Sequence, residues 1–354
     1  MGVVVRKPGM CTTVQDGGRI GYQGSGFSTS GVMDHRAFHI ANLLVDNALD
    51  TAVLEFALVG PTLRFTTNSF IALTGGNFSP TLDGVPVETY RALPVHRGSV
   101  LSFGAPRGGT YGYIAIAGGL RIEPVMGSVS TNLKCSIGGW KGRKLAHGDF
   151  IPFRNRNVDY LPRLESHALA PERYGGDGTV LRVIPGPQDD LFSVAGIRTF
   201  YGETFTVTPE FDRMGCRLDG PEVETVHGSD IISDGIPFGA VQIPSHGRPI
   251  IMLVDRQTTG GYVKIGTIAS VDLPKLVQSG VGDRIRFERI DVREAQRLYR
   301  SEIEELRGIS ISVHRPCVES ISPRRAARRL TPMLERQAVV AQRDIIWIKD
   351  GERN

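Results

Sequence analysis

The sequence predicts a mainly β protein built from two barrel-like halves, and three observations carry that expectation. Short apolar or alternating runs, each bounded by Gly, Pro or Asn, recur through most of the chain. Glycine is abundant, with 43 residues, of which only Gly351 lies beyond residue 308. The halves also close on the same phrase. His147-Gly148-Asp149-Phe150-Ile151-Pro152-Phe153 and Val281-Gly282-Asp283-Arg284-Ile285-Arg286-Phe287 are each a Gly-Asp turn leading into an alternating strand. Barrels suit such a pattern because closing a sheet on itself removes exposed edges.

The first half, residues 1–153, opens with Val3-Val4-Val5, which stops at Pro8-Gly9. Val53–Val59, Leu63–Phe65, Phe70–Leu73, Val100–Phe103 and Tyr111–Ala117 follow as strands. One helix interrupts them. Asp34 is its expected N-cap, and Ala37, Phe38, Ala41, Leu44 and Val45 recur at helical spacing until Asp46-Asn47. Residues 154–180 are polar, carry Pro162, Pro171 and a Gly175-Gly176-Asp177-Gly178 turn, and read as a linker. The second half, 181–290, holds Leu181–Ile184, Thr204–Val207, Ile250–Val254, Ile265–Ile268 and Arg284–Phe287. A surface helix at 291–308 places Val292, Ala295, Leu298, Ile303 and Leu306 on one stripe. Beyond it, 309–354 is an Arg-rich tail, expected to be partly helical or loosely attached, in which Ser322-Pro323 and Thr331-Pro332 look like helix starts.

Composition narrows the class. With 40% hydrophobic and 22% charged residues over 354 positions, the chain can bury a sizeable core, which excludes a disordered protein. No apolar run approaches the ~18 residues of a membrane span, so no membrane partner is expected. The first residues lack the apolar stretch of a signal peptide. Cys11, Cys135, Cys216 and Cys317 are scattered without CxxC spacing, as reduced cytoplasmic thiols would be. The net charge of +4 resides wholly in the tail, where eight Arg and one Lys face three Glu and two Asp. A balanced body gives no basic face for nucleic acid, and none is expected as a partner.

Energy-coupling motifs are missing. The chain has no GxxxxGK[ST] loop, no strand-linked GxGxxG, and no lysine followed by methionine as in the biotin-accepting phrase. No cofactor is therefore expected to be bound covalently. ATP or biotin, if used, must come from another polypeptide. His35 and His39 have the spacing of a metal pair, but neither HExxH nor a third ligand accompanies them, and no metal site is expected. Ser28, Ser30 and Ser130 lie outside any GxSxG elbow.

Three polar clusters remain. In the strongest, Asp255, Gln257, Thr258, Thr259, Tyr262 and Lys264 crowd a Gly260-Gly261 turn between two apolar runs, with Arg213 and Gln242 upstream. Polar groups at a strand-to-strand corner are placed to face a small polar ligand. Asp255, Tyr262 and Lys264 are the catalytic candidates, with Gln242, Gln257, Thr258 and Arg213 for substrate binding. Lysine is rare here, seven against 34 arginines, and unlike arginine it can shed its proton. Gln15, Asp16, Arg19 and Asp34 form a second candidate cluster. The third surrounds Gly127-Ser128-Val129-Ser130-Thr131 and Gly138-Gly139-Trp140-Lys141.

These clusters carry a resemblance. PGMCTTVQDGGRIGYQ, SGVMDHRAFHIANLL, GSVSTN, GGWKGRKL, RMGCRLDG, SDGIPFGAVQIP and DRQTTGGYVKIGTI, in order over about residues 3–290, resemble the biotin-dependent carboxyltransferase family. That family includes the KipA-like C subunit of prokaryotic 5-oxoprolinase, allophanate hydrolase subunit 2 and the carboxyltransferase part of urea carboxylase. The resemblance implies tandem cyclophilin-like β-barrel domains, partnership with a KipI-like B subunit, and a LamB/YcsF-like A subunit in 5-oxoprolinase systems. It further implies ATP-driven opening of 5-oxoproline to glutamate, or carboxylation of urea-like amides from carboxybiotin on a separate biotin carrier. A non-catalytic KipA-like regulator that binds a kinase inhibitor is the remaining alternative. Two positions depart from the family pattern: Val129 stands where an arginine is common, and Cys216 where tyrosine is common. Loss of a fixed guanidinium removes a bidentate anion clamp, which leaves the substrate open.

Overall fold

Strands β1 (Gly2–Lys7), β2 (Cys11–Gln15), β3 (Val53–Ala57), β4 (Thr62–Phe65), β5 (Ser69–Asn77), β6 (Thr81–Leu82), β7 (Val85–Pro86), β8 (Ala92–Val95), β9 (Val100–Ser102), β10 (Gly108–Ile116) and β11 (Phe150–Pro152) make two sheets. Their orders are β11-β1-β4-β9-β6-β7 and β2-β3-β10-β5-β8. Alternation decides what lies between them. Val3 and Val5 of β1, Leu63 and Phe65 of β4, Leu54 and Phe56 of β3, and Ile114 and Ile116 of β10 share one apolar core. The computed structural model describes residues 1–154, 164–172, 174 and 178–313, and Met1–Val313 forms one compact unit.

The other face of the five-stranded sheet is buried too. Phe70, Ala72, Tyr113 and Ala115 turn toward helix α1 (His35–Leu44) and belong to the same core as the second half. Asp34 caps α1 as its sequence position predicts, Oδ1 accepting Ala37 N at 2.9 Å.

The second half contains β12 (Thr179–Pro185), α2 (Val194–Gly202), β13 (Phe205–Phe211), β14 (Gly215–Asp219), β15 (Asp230–Gly235), β16 (Ala240–Ile243), β17 (Ile250–Met252), β18 (Thr259–Ile268), α3 (Leu273–Val277) and β19 (Arg284–Arg289). Their order is β12-β19-β13-β14-β17-β16-β18-β15, and β12 also pairs β18. That extra pairing returns the sheet on itself and leaves β15 outside the ring. Leu181, Val207, Leu218, Ile251, Val263, Ile265, Ile285 and Phe287 supply its core. Phe200 of α2 stacks on Phe287 with centroids 4.3 Å apart. The repeated phrase is real at the level of turns. Gly148 and Gly282 both hold positive φ, 84° and 93°, ahead of β11 and β19.

Helix α4 (Val292–Val313) runs past the expected end at 308, because Leu306 and Val313 are both buried. Of the expected linker, residues 155–163, 173 and 175–177 lie outside the described residues. The described part is pinned to the first half: Ala92 N donates to His167 O at 2.9 Å and Leu169 N to Tyr90 O at 2.8 Å. The remainder of the expected tail, 314–354, with both Pro-marked helix starts, also lies outside the described residues.

Candidate functional site

Strands β16, β17 and β18 send alternate side chains to opposite faces. Val241, Ile243, Ile251, Val263 and Ile265 fill the ring, whereas Ala240, Met252 and Ile250 form a small separate apolar cluster with Ile236. Gln242 and Lys264 occupy this second face directly opposite each other in register. Beside them lies a cleft of about 480 Å³ lined by Gln242, Gln257, Tyr262, Ile250, Met252 and Arg217, among others. Three of the predicted residues therefore share one cavity.

Lys264 is 3% exposed, unusually low for a lysine. Its Nζ lies 3.2 Å from Asp234 Oδ2 on β15, yet makes no hydrogen bond of good geometry. Gln188 braces the pair, its Oε1 accepting Lys264 N and its Nε2 donating to Asp234 Oδ2, each at 3.3 Å. Asp234's carboxyl is held below its ordinary range by Gly235 N, Lys264 and Gln188. Gln242 Nε2 is buried without a hydrogen-bond partner among the described residues. A Cβ on Gly260 would stand 3.0 Å from Gln242 Nε2 and 2.6 Å from Ile236 Cδ1, so glycine there keeps the space open. The Gln242 amide, a buried donor beside the Asp234-paired Lys264 ammonium, is complementary to a carbonyl or carboxylate oxygen. Tyr262 and Gln257 are exposed at the rim, and Thr258 uses its carbonyl to accept Ile236 N at 3.0 Å.

Arg213 and Asp255 are placed elsewhere, at the seam between the halves. Arg213 Nε donates to Asp255 Oδ2 at 2.7 Å, Nη1 to Glu55, and Nη2 to Gly31 O at 2.7 Å. All three charged side chains are buried. Burial alone would lower the arginine's proton affinity; Asp255 and Glu55 outweigh it and raise it. Burial pushes the Glu55 carboxyl up, against the opposing pull of Arg213 and of hydrogen bonds from Met33 N and Tyr113. The network continues through Tyr113, whose OH accepts Asp34 N at 2.8 Å, and through Asp34 Oδ2, which accepts Gln278 Nε2 at 2.9 Å. Asp34 thus acts as helix cap and seam residue.

The rest of the second candidate cluster gathers around the Gly127–Thr131 phrase. Asp16 Oδ1 accepts Gly18 N, Ser128 Oγ and Ser130 Oγ at 2.9, 2.6 and 2.5 Å, and its Oδ2 accepts Val129 N at 2.7 Å. Gln15 Nε2 donates to Thr13 Oγ1 and Thr131 O, leaving Oε1 buried and unpaired among the described residues. Arg19 is fully buried. His35 and His39 have ring centroids 6.4 Å apart, and His35 packs edge-on against Phe238. Burial, then His39, lowers the His35 pKa to about 4.

The family model described as the carboxyltransferase domain, subdomain A and B, matches residues 25–289. The chain belongs to that family. It is 38% identical to the 5-oxoprolinase C subunit of Escherichia coli strain K12, over 82% of this chain and 91% of that protein. With the 5-oxoprolinase C subunit of Haemophilus influenzae it shares 34% over 84% and 95%. Among solved structures, the K. lactis urea amidolyase matches 92% of the chain with a TM-score of 0.80 and 28% identity. The chain spans only 20% of that larger polypeptide.

Within this carboxyltransferase domain the two departures have simple structural correlates. Val129 packs into the first-half core, and Cys216 lies inside the ring of the second half, where burial pushes its thiol up to about 12. Sequence reasoning missed Glu55, Gln188 and Gln278. Glu55 carried a signal, a lone carboxylate inside the apolar run Val53-Leu54-Glu55-Phe56-Ala57. Gln188 and Gln278 carried none.

Proposed function

We propose that this chain is the C subunit of a cytoplasmic, ATP-dependent 5-oxoprolinase, which opens 5-oxo-L-proline to L-glutamate. The observation that carries the reading is its likeness to the 5-oxoprolinase C subunit over nearly that protein's whole length. The cleft of the second half supplies a place for the chemistry. Gln242 and Gln257 offer amides that pair with the lactam, while Tyr262 frames the mouth and Thr258 stands next to Gln257 in the chain. Lys264 sits behind Gln242, desolvated and only loosely held by Asp234, so its ammonium is available to a carbonyl oxygen that gains negative charge as the ring opens. It is also the group we assign to proton transfer. Asp255 and Arg213 act from the seam, fixing the strand end from which Gln257 and Thr258 project.

Under this reading the enzyme is completed by a KipI-like B subunit and a LamB/YcsF-like A subunit, and ATP binds to a partner chain. Urea-type carboxyl transfer from carboxybiotin is the second reading, favoured by the structural match to urea amidolyase. Co-expressed A, B and C subunits should release glutamate from 5-oxoproline only when ATP is present. Lys264→Met should lower that rate by about 100-fold or more without loss of folding. Consumption of carboxybiotin with urea, and no glutamate release, would replace the first reading by the second.

A further inference from the structure

Two arginines are buried without touching a carboxylate among the described residues. Arg19 donates Nε to Val125 O and Nη2 to Ser130 O, both at 3.0 Å, and its buried Nη1 has no partner among the described residues. Arg256 donates Nε to Ile236 O at 2.8 Å and Nη1 to Leu253 O at 3.2 Å. The acid nearest to Arg19 in sequence, Asp16, is already saturated by four neutral donors. Burial lowers the proton affinity of both arginines, and the carboxylates near them, Asp16 and Asp255 for Arg19 and Asp255 for Arg256, offset it only in part without meeting the guanidinium donors.

Both arginines adjoin one segment, Ser28–Gly31. Arg19 N donates to Thr29 O at 2.6 Å, and Arg256 Nη1 lies 3.5 Å from Thr29 Oγ1. Ser30 is held at φ 53°, a left-handed conformation unfavourable for a residue with a side chain. Asn132 sets the chemistry of the two serines. Its Oδ1 accepts Cys135 N at 2.8 Å, which fixes the amide, so Nδ2 must donate to Ser28 Oγ at 2.9 Å and Ser30 Oγ at 3.0 Å. Each hydroxyl is thereby used as an acceptor and keeps its own O–H to give away. No acceptor for either is found among the described residues.

We propose that Ser28 and Ser30, with Arg19 and Arg256, form an oxyanion-binding site in addition to the cleft at Gln242, taking a small carboxylate- or phosphate-type anion. A lining of donors favours groups that only accept, and it disfavours a neutral amide, whose N–H would need an acceptor. This inference does not depend on the 5-oxoprolinase reading.

The test titrates the full-length chain with inorganic phosphate, acetate and 5-oxoproline by calorimetry at constant ionic strength. Saturable binding of at least one probe at one site per chain is expected, weakened roughly 3- to 10-fold in Ser28→Ala, which removes one hydroxyl donor. Asn132→Asp, which sets a carboxylate beneath the same hydroxyls, should abolish it. Binding of phosphate alone assigns a phosphoryl ligand; binding of acetate or 5-oxoproline assigns a carboxylate. Absence of saturable binding overturns the proposal, as does equal affinity in wild type and Ser28→Ala. Should Asn132→Asp fail to fold, Ser28→Ala decides alone, since Ser28 is only partly buried and the change removes a single hydroxyl.

Discussion

Replacing Arg213 with methionine tests the seam between the halves. The substitution keeps most of the side-chain volume and removes the guanidinium that serves Asp255, Glu55 and Gly31 O. Glu55 is 2% exposed and Asp255 6%, so neither carboxylate gains water when its partner leaves. Breaking a buried pair by deleting one member costs roughly 3–5 kcal/mol, because the other charge stays desolvated. Two carboxylates are stranded here, so the upper end of that range is expected at pH 8, read as a shift in urea midpoint by circular dichroism. The deficit should also depend on pH. Glu55 already has its carboxyl raised by burial, and losing Arg213 removes the largest opposing influence. A carboxyl with a folded pKa above its unfolded one binds more protons when folded, so the variant regains stability as pH falls toward that raised value. The gap to wild type should narrow between pH 8 and pH 5.5. Adding Glu55→Gln to Arg213→Met should recover part of the loss, as coupled neighbours do. A variant within about 1 kcal/mol of wild type at pH 8, or a gap that does not narrow, would refute the account of the seam.

Other outcomes follow from the same geometry. His35, lowered to about 4, takes up protons more readily when unfolded, so stability should fall as pH drops from 6.5 to 4, by at most roughly 3 kcal/mol. His35→Gln should flatten that slope in urea melts from pH 7 to 4. Gly260→Ala should push against Ile236 and Gln242 and raise the KM of the assembled enzyme several-fold, with a melting temperature close to wild type; an unchanged KM would show that Gln242 does not meet substrate. The purified chain should neither hydrolyse ATP nor appear on a streptavidin blot, and covalent biotin on any of its seven lysines would contradict its reading as a subunit served by others.

Strand positions were legible because apolar runs and glycine turns are local signals. Val53–Val59 appears as β3 over Val53–Ala57, cut short where Leu58 takes a positive φ of 59°. The α1 cap and stripe were legible for the same reason. Helix α2 was not, since its nine residues lack charge periodicity and Phe200 is its one large buried side chain. In the site, Gln242, Gln257 and Tyr262 meet at one cleft, but Gly260-Gly261, expected to be a turn, lie inside β18, where Gly260 pairs with Asp234. The partition of Arg213 and Asp255 to the seam was not readable. It depends on Glu55, 158 positions from Arg213, and no local pattern encodes a pairing that distant.

The pairing of β12 with β19 bears on how the protein is made. β12 near residue 180 pairs in parallel with a strand ending at Arg289, so the ring cannot form until about a hundred further residues leave the ribosome. At ordinary synthesis rates of about 5–20 residues per second, that is a delay on the order of 5–20 s. During it, the face of the five-stranded sheet carrying Phe70, Ala72, Tyr113 and Ala115 has α1 but not yet the second half against it. Nascent chains stalled between residues 180 and 290 should therefore be the species that trigger factor-like chaperones engage, and release should coincide with emergence of β19.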